Sequence, residues 1–204
     1  MRVALTFDDG PNTVTTPKLL DVLEKYNVPA SFFLVGHNIM EDCFPVMERQ
    51  LKDGCTIECH SWSHPAFPQL SRDEMLKEIN DTNNLIEKAL GWKTEFFRPP
   101  YIALCPEMYD IIQMPFICGR GVDDWKIELP AQTKASGVID NVEDGQIILL
   151  HDSEGNQTTV DAVDMIIPAL LERGVEFYNV RDLFKACGVS PVKKNTIWTN
   201  VLKD

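Results

Sequence analysis

The sequence predicts an α/β fold in which parallel strands alternate with helices. Short apolar runs that favour buried strands are each followed by an amphipathic segment, and we count seven such units in 204 residues. This alternation implies parallel strands joined by right-handed crossovers, and near-continuous apolar strands are typical of burial on both faces. An open doubly wound sheet and a (β/α) barrel both fit, although 204 residues fall short of the roughly 250 of a full eight-unit barrel.

Periodicity and punctuation define each element. The predicted strands are residues 3–7, 31–35, 56–59, 95–97, 116–118, 146–150 and 175–178. The predicted helices are residues 17–26, 45–52, 71–91, 107–113, 134–142, 159–173 and 181–187. In the first helix, Leu19 and Leu23 share one face. Ser71 and Glu74 form a capping box at the start of the third helix, and Gly91 suits its C-terminal cap. Pro168 predicts a kink or a break in the sixth helix.

The composition indicates one globular domain with an acidic surface. Hydrophobic residues are 44% of the chain, and 19 basic against 31 acidic residues give a net charge of −12. This charge argues against binding a phosphate backbone, and no run reaches the roughly 18 apolar residues of a membrane span. We expect no nucleic-acid or membrane partner and predict a monomer. We also predict a catalytic domain over residues 1–190 and a polar C-terminal tail over residues 191–204.

The first apolar stretch of the chain bears on localisation. It is too short for a signal peptide. We therefore expect a cytoplasmic protein, or an extracellular or cell-wall protein if an export segment precedes this sequence.

Reactive polar residues follow directly after the predicted strands. In chain order they are Asp8 and Asp9, His60 and His64, Arg98, Asp123 and Asp124, and His151 and Asp152. Loops after parallel strands open on one face of the fold, where sites form. Three of the four histidines lie there, and the fourth, His37, has no evident partner, so we assign it a structural or rim role.

Two of these histidines have a spacing that suits a metal ion. His60 and His64 are four residues apart, so one helical turn would direct both imidazoles at one divalent ion. A catalytic site with an open position for water needs a third ligand, which Asp8 or Asp9 can supply. Two adjacent carboxylates are also costly to ionise together unless a metal ion or Arg98 lies between them.

Other interpretations of the same residues exist. Asp-Asp-Gly-Pro is also a common turn sequence, and both histidines could be unrelated loop residues. A structural zinc site that includes Cys55 and Cys59 is disfavoured because its halves lack a spacer of roughly twelve residues. His151 ends the most apolar strand, and a carboxylate partner would raise its pKa and suit it to general acid catalysis. Asp124 and Asp152 are both candidates for that partner.

Five motifs in order resemble those of a known family. They are Thr6-Phe7-Asp8-Asp9-Gly10-Pro11, His60-Ser61-Trp62-Ser63-His64, Arg98-Pro99-Pro100-Tyr101, Asp124-Trp125 and Leu149-Leu150-His151. Together they resemble the polysaccharide deacetylases of carbohydrate esterase family 4, the NodB-homology domain, up to about Phe184. The resemblance implies a single-domain α/β fold, a distorted and incomplete (β/α)7-type barrel.

The resemblance implies a role for each motif residue. Asp9, His60 and His64 look like the metal ligands. Asp8 looks like the general base, which Arg98 would hold in place and keep ionised by charge pairing.

The remaining motif residues look like parts of the substrate pocket. Tyr101 would offer its backbone N–H to the oxyanion, and Pro100 belongs to the same substrate-binding motif. Trp125 and Leu149 look like walls for the acetyl methyl group. His151 would be the general acid.

Two positions depart from the family pattern. Ile102 stands where glycine commonly follows the tyrosine, which places a β-branched side chain in a loop near the substrate. The usual Asp-x-x-Asp-Trp motif is shortened to Asp123-Asp124-Trp125. We assign the support of His151 to Asp124, with Asp123 as the alternative.

The function implied is metal-dependent removal of N-acetyl groups from N-acetylglucosamine units of peptidoglycan or chitin-like glycans, with release of acetate. An acetylxylan esterase that removes O-acetyl groups with the same site is the alternative. A glycan-binding pseudoenzyme is a second alternative, which the complete set of site residues disfavours. We expect zinc as the divalent metal ion, with cobalt, nickel or iron also compatible. The partner is then an acetylated polysaccharide or oligosaccharide.

Overall fold

Seven strands and seven α-helices build the chain in a computed structural model that describes residues 1–192, 195 and 197–204. The strands are β1 Arg2–Asp8, β2 Ala30–Leu34, β3 Thr56–Cys59, β4 Phe116–Ile117, β5 Gln146–His151, β6 Glu176–Tyr178 and β7 Ile197–Trp198. The helices are α1 Thr15–Tyr26, α2 Phe44–Lys52, α3 Arg72–Leu90, α4 Pro106–Ile111, α5 Ala131–Ile139, α6 Gln157–Glu172 and α7 Val180–Cys187. Most predicted elements are therefore confirmed, with ends that shift by a few residues.

The strands form a parallel sheet with β1 near its centre. The order is β3-β2-β1-β5, and β6 pairs with the first half of β1, while β2 pairs with its second half. Isolated bridges continue the sheet from Cys59 to Phe97, from Phe97 to Phe116, and from Arg120 to Ile148 of β5. Because single bridges replace full ladders on this side, the fold is a distorted and incomplete barrel in one domain, as predicted.

The barrel is stabilised by apolar residues on both faces of its strands. In β1, residues 3–8 are all buried, and β2 and β3 are buried along their whole length. The largest core cluster joins β1, β2 and β5 to α1, α5 and α6. Burial of this continuous apolar surface explains why the strands lack the alternating pattern of a sheet that faces water.

Local signals correctly predict the ends of the longest helix. The Ser71 side chain accepts a hydrogen bond from the Glu74 backbone N–H, and the Glu74 carboxylate accepts one from Ser71, as a capping box requires. Gly91 ends α3 with a φ of 64°. Pro168 lies inside α6 without ending it, because Ile166, Ile167 and Leu170 bury that part of the helix.

The predicted strand over residues 95–97 is wrong except at Phe97. The backbone N–H groups of Glu95 and Phe96 donate to Oε2 of the buried Glu58, at 2.7 and 3.0 Å. Because a side chain occupies these donors, they form no ladder with a neighbouring strand. Only the bridges of Phe97 remain.

The C-terminal segment is more structured than a polar tail. Ile197 and Trp198 pair with β4, and Trp198 is buried against Phe184. Val201 is also buried. Because the segment is polar overall and has few apolar residues, its composition gives no sign that it packs against the domain. The predicted tail also includes residues 193, 194 and 196, which lie outside the described residues.

Among the described residues, none of the helices combines the length and the apolar character that a membrane crossing requires.

Candidate active site

A cleft of about 480 Å³ opens at the carboxyl ends of β1, β3 and β5. Nine of the eleven predicted site residues line it: Asp8, Asp9, His60, His64, Tyr101, Asp124, Trp125, Leu149 and His151. Arg98 is fully buried and does not line the cleft, and Pro100 is buried while its neighbour Pro99 lines the wall. The parallel strands thus bring together residues that are up to 143 positions apart (151 − 8).

Three of these residues have the arrangement of a metal site. One ligand atom from each of Asp9, His60 and His64 lies within 4.8 Å of the others. The two Nε2 atoms are 3.2 Å apart, and Asp9 Oδ1 is 3.7 Å from His60 Nε2 and 3.5 Å from His64 Nε2. Ligands about 2.0–2.1 Å from a tetrahedral ion lie about 3.3 Å from each other, so these three atoms fit one divalent cation.

The environment of His60 favours ligation through Nε2. Its Nδ1 lies 2.7 Å from the carbonyl oxygen of Arg98, and that oxygen can only accept, so Nδ1 carries the proton. Burial lowers the pKa of His60 to about 3, which keeps the ring neutral at physiological pH. A neutral imidazole oriented through its other nitrogen is the usual form of a ligating histidine.

The segment from His60 to His64 is a loop, so the predicted helical turn is wrong. Ser61 and His64 have positive φ values of 70° and 58°. The backbone N–H groups of Trp62 and Ser63 donate to Glu78 Oε2 at 2.8 and 2.7 Å. Glu78 from α3 therefore holds the loop in a form that still directs both imidazoles at one point.

Asp8 and Arg98 form a buried ion pair beside this triad. Both side chains are almost completely buried, and Arg98 Nη1 donates to Asp8 Oδ1. Arg98 Nη2 also donates to Thr6 Oγ1 at 2.9 Å. Burial raises the pKa of Asp8, while Arg98 and then His151 oppose this increase. The carboxylate is thus a stronger base than an exposed aspartate, with its orientation set by Arg98.

His151 contacts Asp124 rather than the alternative carboxylates. His151 Nδ1 lies 2.8 Å from Asp124 Oδ1, and the His151 backbone N–H donates to Asp124 Oδ2 at 2.7 Å. Asp123 is exposed and pairs with Lys126, whereas Asp152 accepts from Thr16.

Two opposing effects determine the charge of His151. Burial disfavours the imidazolium, but the hydrogen bond with Asp124 and the charges of Asp8, Asp124 and Asp9 outweigh it and raise the pKa to about 9. The ring is therefore protonated at neutral pH.

Backbone strain concentrates around the cleft. Among the described residues, seven residues other than glycine have positive φ, and only Asn27, a helix C-cap, lies away from it: the others are Asp9, Ser61, His64, Tyr101, Ile102 and Asp123. Each such residue costs roughly 1–3 kcal/mol. Ile102 has a φ of 52°, a conformation that is costly for a β-branched residue. Glycine, which adopts positive φ without this cost, would therefore suit the position better. Tyr101 is 71% exposed at the rim.

Several supporting residues escape prediction from the sequence. Asn38 donates to the carbonyl oxygen of Asp9 at 2.8 Å, Glu78 holds the His60–His64 loop, and Lys134, Asn156 and Thr159 surround Asp124. Each is a polar residue in a helix or loop whose local pattern indicates only a solvated face. His37, predicted at the rim, is exposed beside the cleft.

The chain is similar to known proteins over most of its length. The sequence profile of the polysaccharide deacetylase family matches residues 1–113. A bifunctional xylanase/deacetylase from Pseudobutyrivibrio xylanivorans is 42% identical over 98% of this chain and 33% of its own length. A peptidoglycan-N-acetylglucosamine deacetylase from Bacillus cereus is 37% identical over 90% of this chain and 68% of its own length. This chain therefore spans about a third of the first relative and two thirds of the second.

The fold has close counterparts among solved structures. A family 4 acetyl xylan esterase from Clostridium thermocellum, solved with a cobalt ion, is 38% identical, with a TM-score of 0.96 over 98% of this chain and 99% of that one. Similarity of sequence and structure over nearly the whole chain, together with the five ordered motifs, leads to one conclusion. This chain belongs to the polysaccharide deacetylase family of carbohydrate esterases.

Proposed function

We propose that this protein is a metal-dependent hydrolase that releases acetate from acetylated polysaccharides. The observation that carries this proposal is the cluster of Asp9, His60 and His64 in one cleft with a buried base, Asp8, and a protonated histidine, His151. A bound divalent ion would polarise the acetyl carbonyl and lower the pKa of a water molecule.

The chain's own residues account for the proton transfers. Asp8 lies 3.7 Å from His60 Nε2, close enough to accept a proton from a water molecule at the triad. We assign the oxyanion contact to the backbone N–H of Tyr101 and the pocket wall for the acetyl methyl group to Leu149 and Trp125. His151 then donates its proton to the leaving group as the bond to the acetyl carbon breaks.

Similarity favours O-acetylated xylan as the substrate. The Pseudobutyrivibrio and Clostridium proteins, whose names refer to xylan, match 98% of this chain at 38–42% identity. N-acetylated glycans such as peptidoglycan and chitin are the second candidate, which the Bacillus cereus relative supports. The raised pKa of His151 suits both, because protonation lets the sugar oxygen leave as an alcohol and the sugar nitrogen leave as an amine. Such substrates place the activity at the cell wall or outside the cell.

Acetate release after metal reconstitution tests the function. We expect chelator-treated protein to be inactive and one equivalent of zinc, cobalt, nickel or iron to restore acetate release from acetylated xylan or chitin oligomers. His60→Ala and His64→Ala should lose the metal ion, whereas His37→Ala, which removes a histidine outside the triad, should keep it. Metal-loaded protein that releases no acetate from any acetylated glycan would point to a pseudoenzyme instead.

The pH dependence of the reaction should reflect His151. As a general acid it must be protonated, and its pKa of about 9 means that kcat/KM should fall as the pH rises through about 9. Asp124→Asn removes the negative charge that stabilises the imidazolium and raises this pKa, so the decline should move toward neutral pH. Asp123→Asn is the matched control and should leave the profile in place. An unchanged profile in Asp124→Asn would contradict the assignment of His151.

A further inference from the structure

A buried lysine lies behind the His151–Asp124 pair. Lys134 of α5 is fully buried, and its Nζ donates to the carbonyl oxygen of Asp124 at 2.6 Å and to Thr158 Oγ1 at 2.6 Å. Further contacts join it to Asn156 Oδ1 at 3.0 Å and Thr159 Oγ1 at 3.3 Å. In the part of the chain that the structure describes, no ion pair joins this ammonium group to a carboxylate.

Such an arrangement is unusual for a residue with only a packing role. A buried charge without an ionic partner is costly, and burial lowers the pKa of Lys134 accordingly. A methionine or leucine would fill the same space without this cost. The ammonium group instead donates its three protons among four oxygen atoms, and these hydrogen bonds fix its position.

The same side chains also hold Asp124, the partner of the general acid. Thr159 Oγ1 donates to Asp124 Oδ2 at 2.9 Å, and Asn156 Nδ2 donates to the carbonyl oxygens of Asp124 and His151, both at 3.2 Å. Lys134 therefore contacts the backbone of Asp124, the Thr159 hydroxyl that donates to its carboxylate, and the Asn156 side chain that holds its backbone carbonyl. A shift of this cluster would change the direction from which Asp124 accepts the hydrogen bond of the His151 Nδ1–H group.

We propose that Lys134 is a positioning residue for proton donation by His151, acting through Asp124, Asn156 and Thr159. This inference rests on the proposed function, since it concerns the step in which the leaving group departs. In that step the C–O or C–N bond breaks, the imidazolium proton moves to the leaving oxygen or nitrogen, and His151 becomes neutral. A sugar alkoxide or an amine requires this proton, whereas a nitrophenolate leaves without it.

The leaving group therefore distinguishes positioning from simple structural support. Lys134→Met keeps the apolar stem and removes the ammonium group. We expect kcat on the acetylated oligosaccharide that the wild type deacetylates to fall about 100-fold, the loss typical of a misplaced catalytic group, and kcat on 4-nitrophenyl acetate to change less than about 3-fold. Lys134→Gln, which retains two N–H donors, should recover part of the oligosaccharide activity and remains informative if the methionine variant fails to fold.

Two controls separate the possible outcomes. Glu58→Gln alters another buried polar residue, whose hydrogen bonds come from the backbone of Glu95 and Phe96, and it should affect both substrates equally. Equal losses on both substrates in Lys134→Met and Lys134→Gln would overturn the positioning role while leaving the proposed function intact. A wild-type protein that deacetylates no oligosaccharide would instead overturn the proposed function itself.

Discussion

Replacing Asp8 with asparagine should lower kcat for acetate release by about 10²–10⁴-fold, the usual contribution of a general base. Asparagine has nearly the same shape and keeps an oxygen that accepts the hydrogen bond of Arg98, but it cannot take a proton from water. Because Asp9, His60 and His64 are unchanged, the variant should still bind one metal ion. Kinetics on acetylated oligosaccharides, with metal content measured on the same sample, test this expectation.

The neighbouring carboxylates provide the controls. Asp9→Asn should lose activity together with metal affinity, which distinguishes a ligand from a base. Asp123→Asn changes an exposed acid of the same cleft that pairs only with Lys126 in the described structure, and it should retain activity. Unchanged acetate release by Asp8→Asn would show that another group is the base.

Site residues close to strand ends are the ones that the sequence predicts best. Asp8 and His151 are the last residues of β1 and β5, and His60 directly follows β3. In a parallel fold such positions converge whatever the details of the helices. The ambiguity between Asp123 and Asp124 is of another kind, because it depends on which of two adjacent side chains points inward. The structure shows Asp124 fully buried against His151 and Asp123 exposed.

Features that depend on distant partners are not predictable in this way. The strand at Phe97 is reduced because Glu58 occupies the donors of the preceding residues, and the loop after His60 is held by Glu78 from α3. Lys134 occupies a helix position where lysine normally faces water, and the packing of α5 against α6 and the Asp124 loop buries it. These contacts are tertiary, so hydrophobic periodicity carries no signal for them.

Arg98→Met should destabilise the protein by about 3–5 kcal/mol, because it leaves the Asp8 carboxylate buried without its counter-charge. Urea unfolding of chelator-treated protein measures this loss without a contribution from metal binding. The matched control is Lys25→Met, which breaks the exposed pair with Asp164 and should leave the stability almost unchanged. A loss of less than 1 kcal/mol in Arg98→Met would contradict the importance of the buried pair.

The pH dependence of this loss has a definite sign. Burial already raises the folded-state pKa of Asp8 above its unfolded value, and removing Arg98 raises it further. A carboxyl group with a raised folded pKa favours the folded state at low pH, and this contribution is lost as the pH rises through the folded pKa. The deficit of Arg98→Met should therefore be smaller in acid than at neutral pH.

A second substitution at Asp8 separates charge from packing. The double variant Asp8→Asn/Arg98→Met contains neither buried charge, so it should be more stable than Arg98→Met alone at neutral pH, and the two substitutions should be strongly non-additive. Its stability should also lose the pH dependence that Asp8 confers. The opposite outcome is additivity, in which Asp8→Asn lowers the stability of Arg98→Met by as much as it lowers that of the wild type. Arg98 would then act through its contacts with Thr6 and the Phe33 ring rather than through charge pairing.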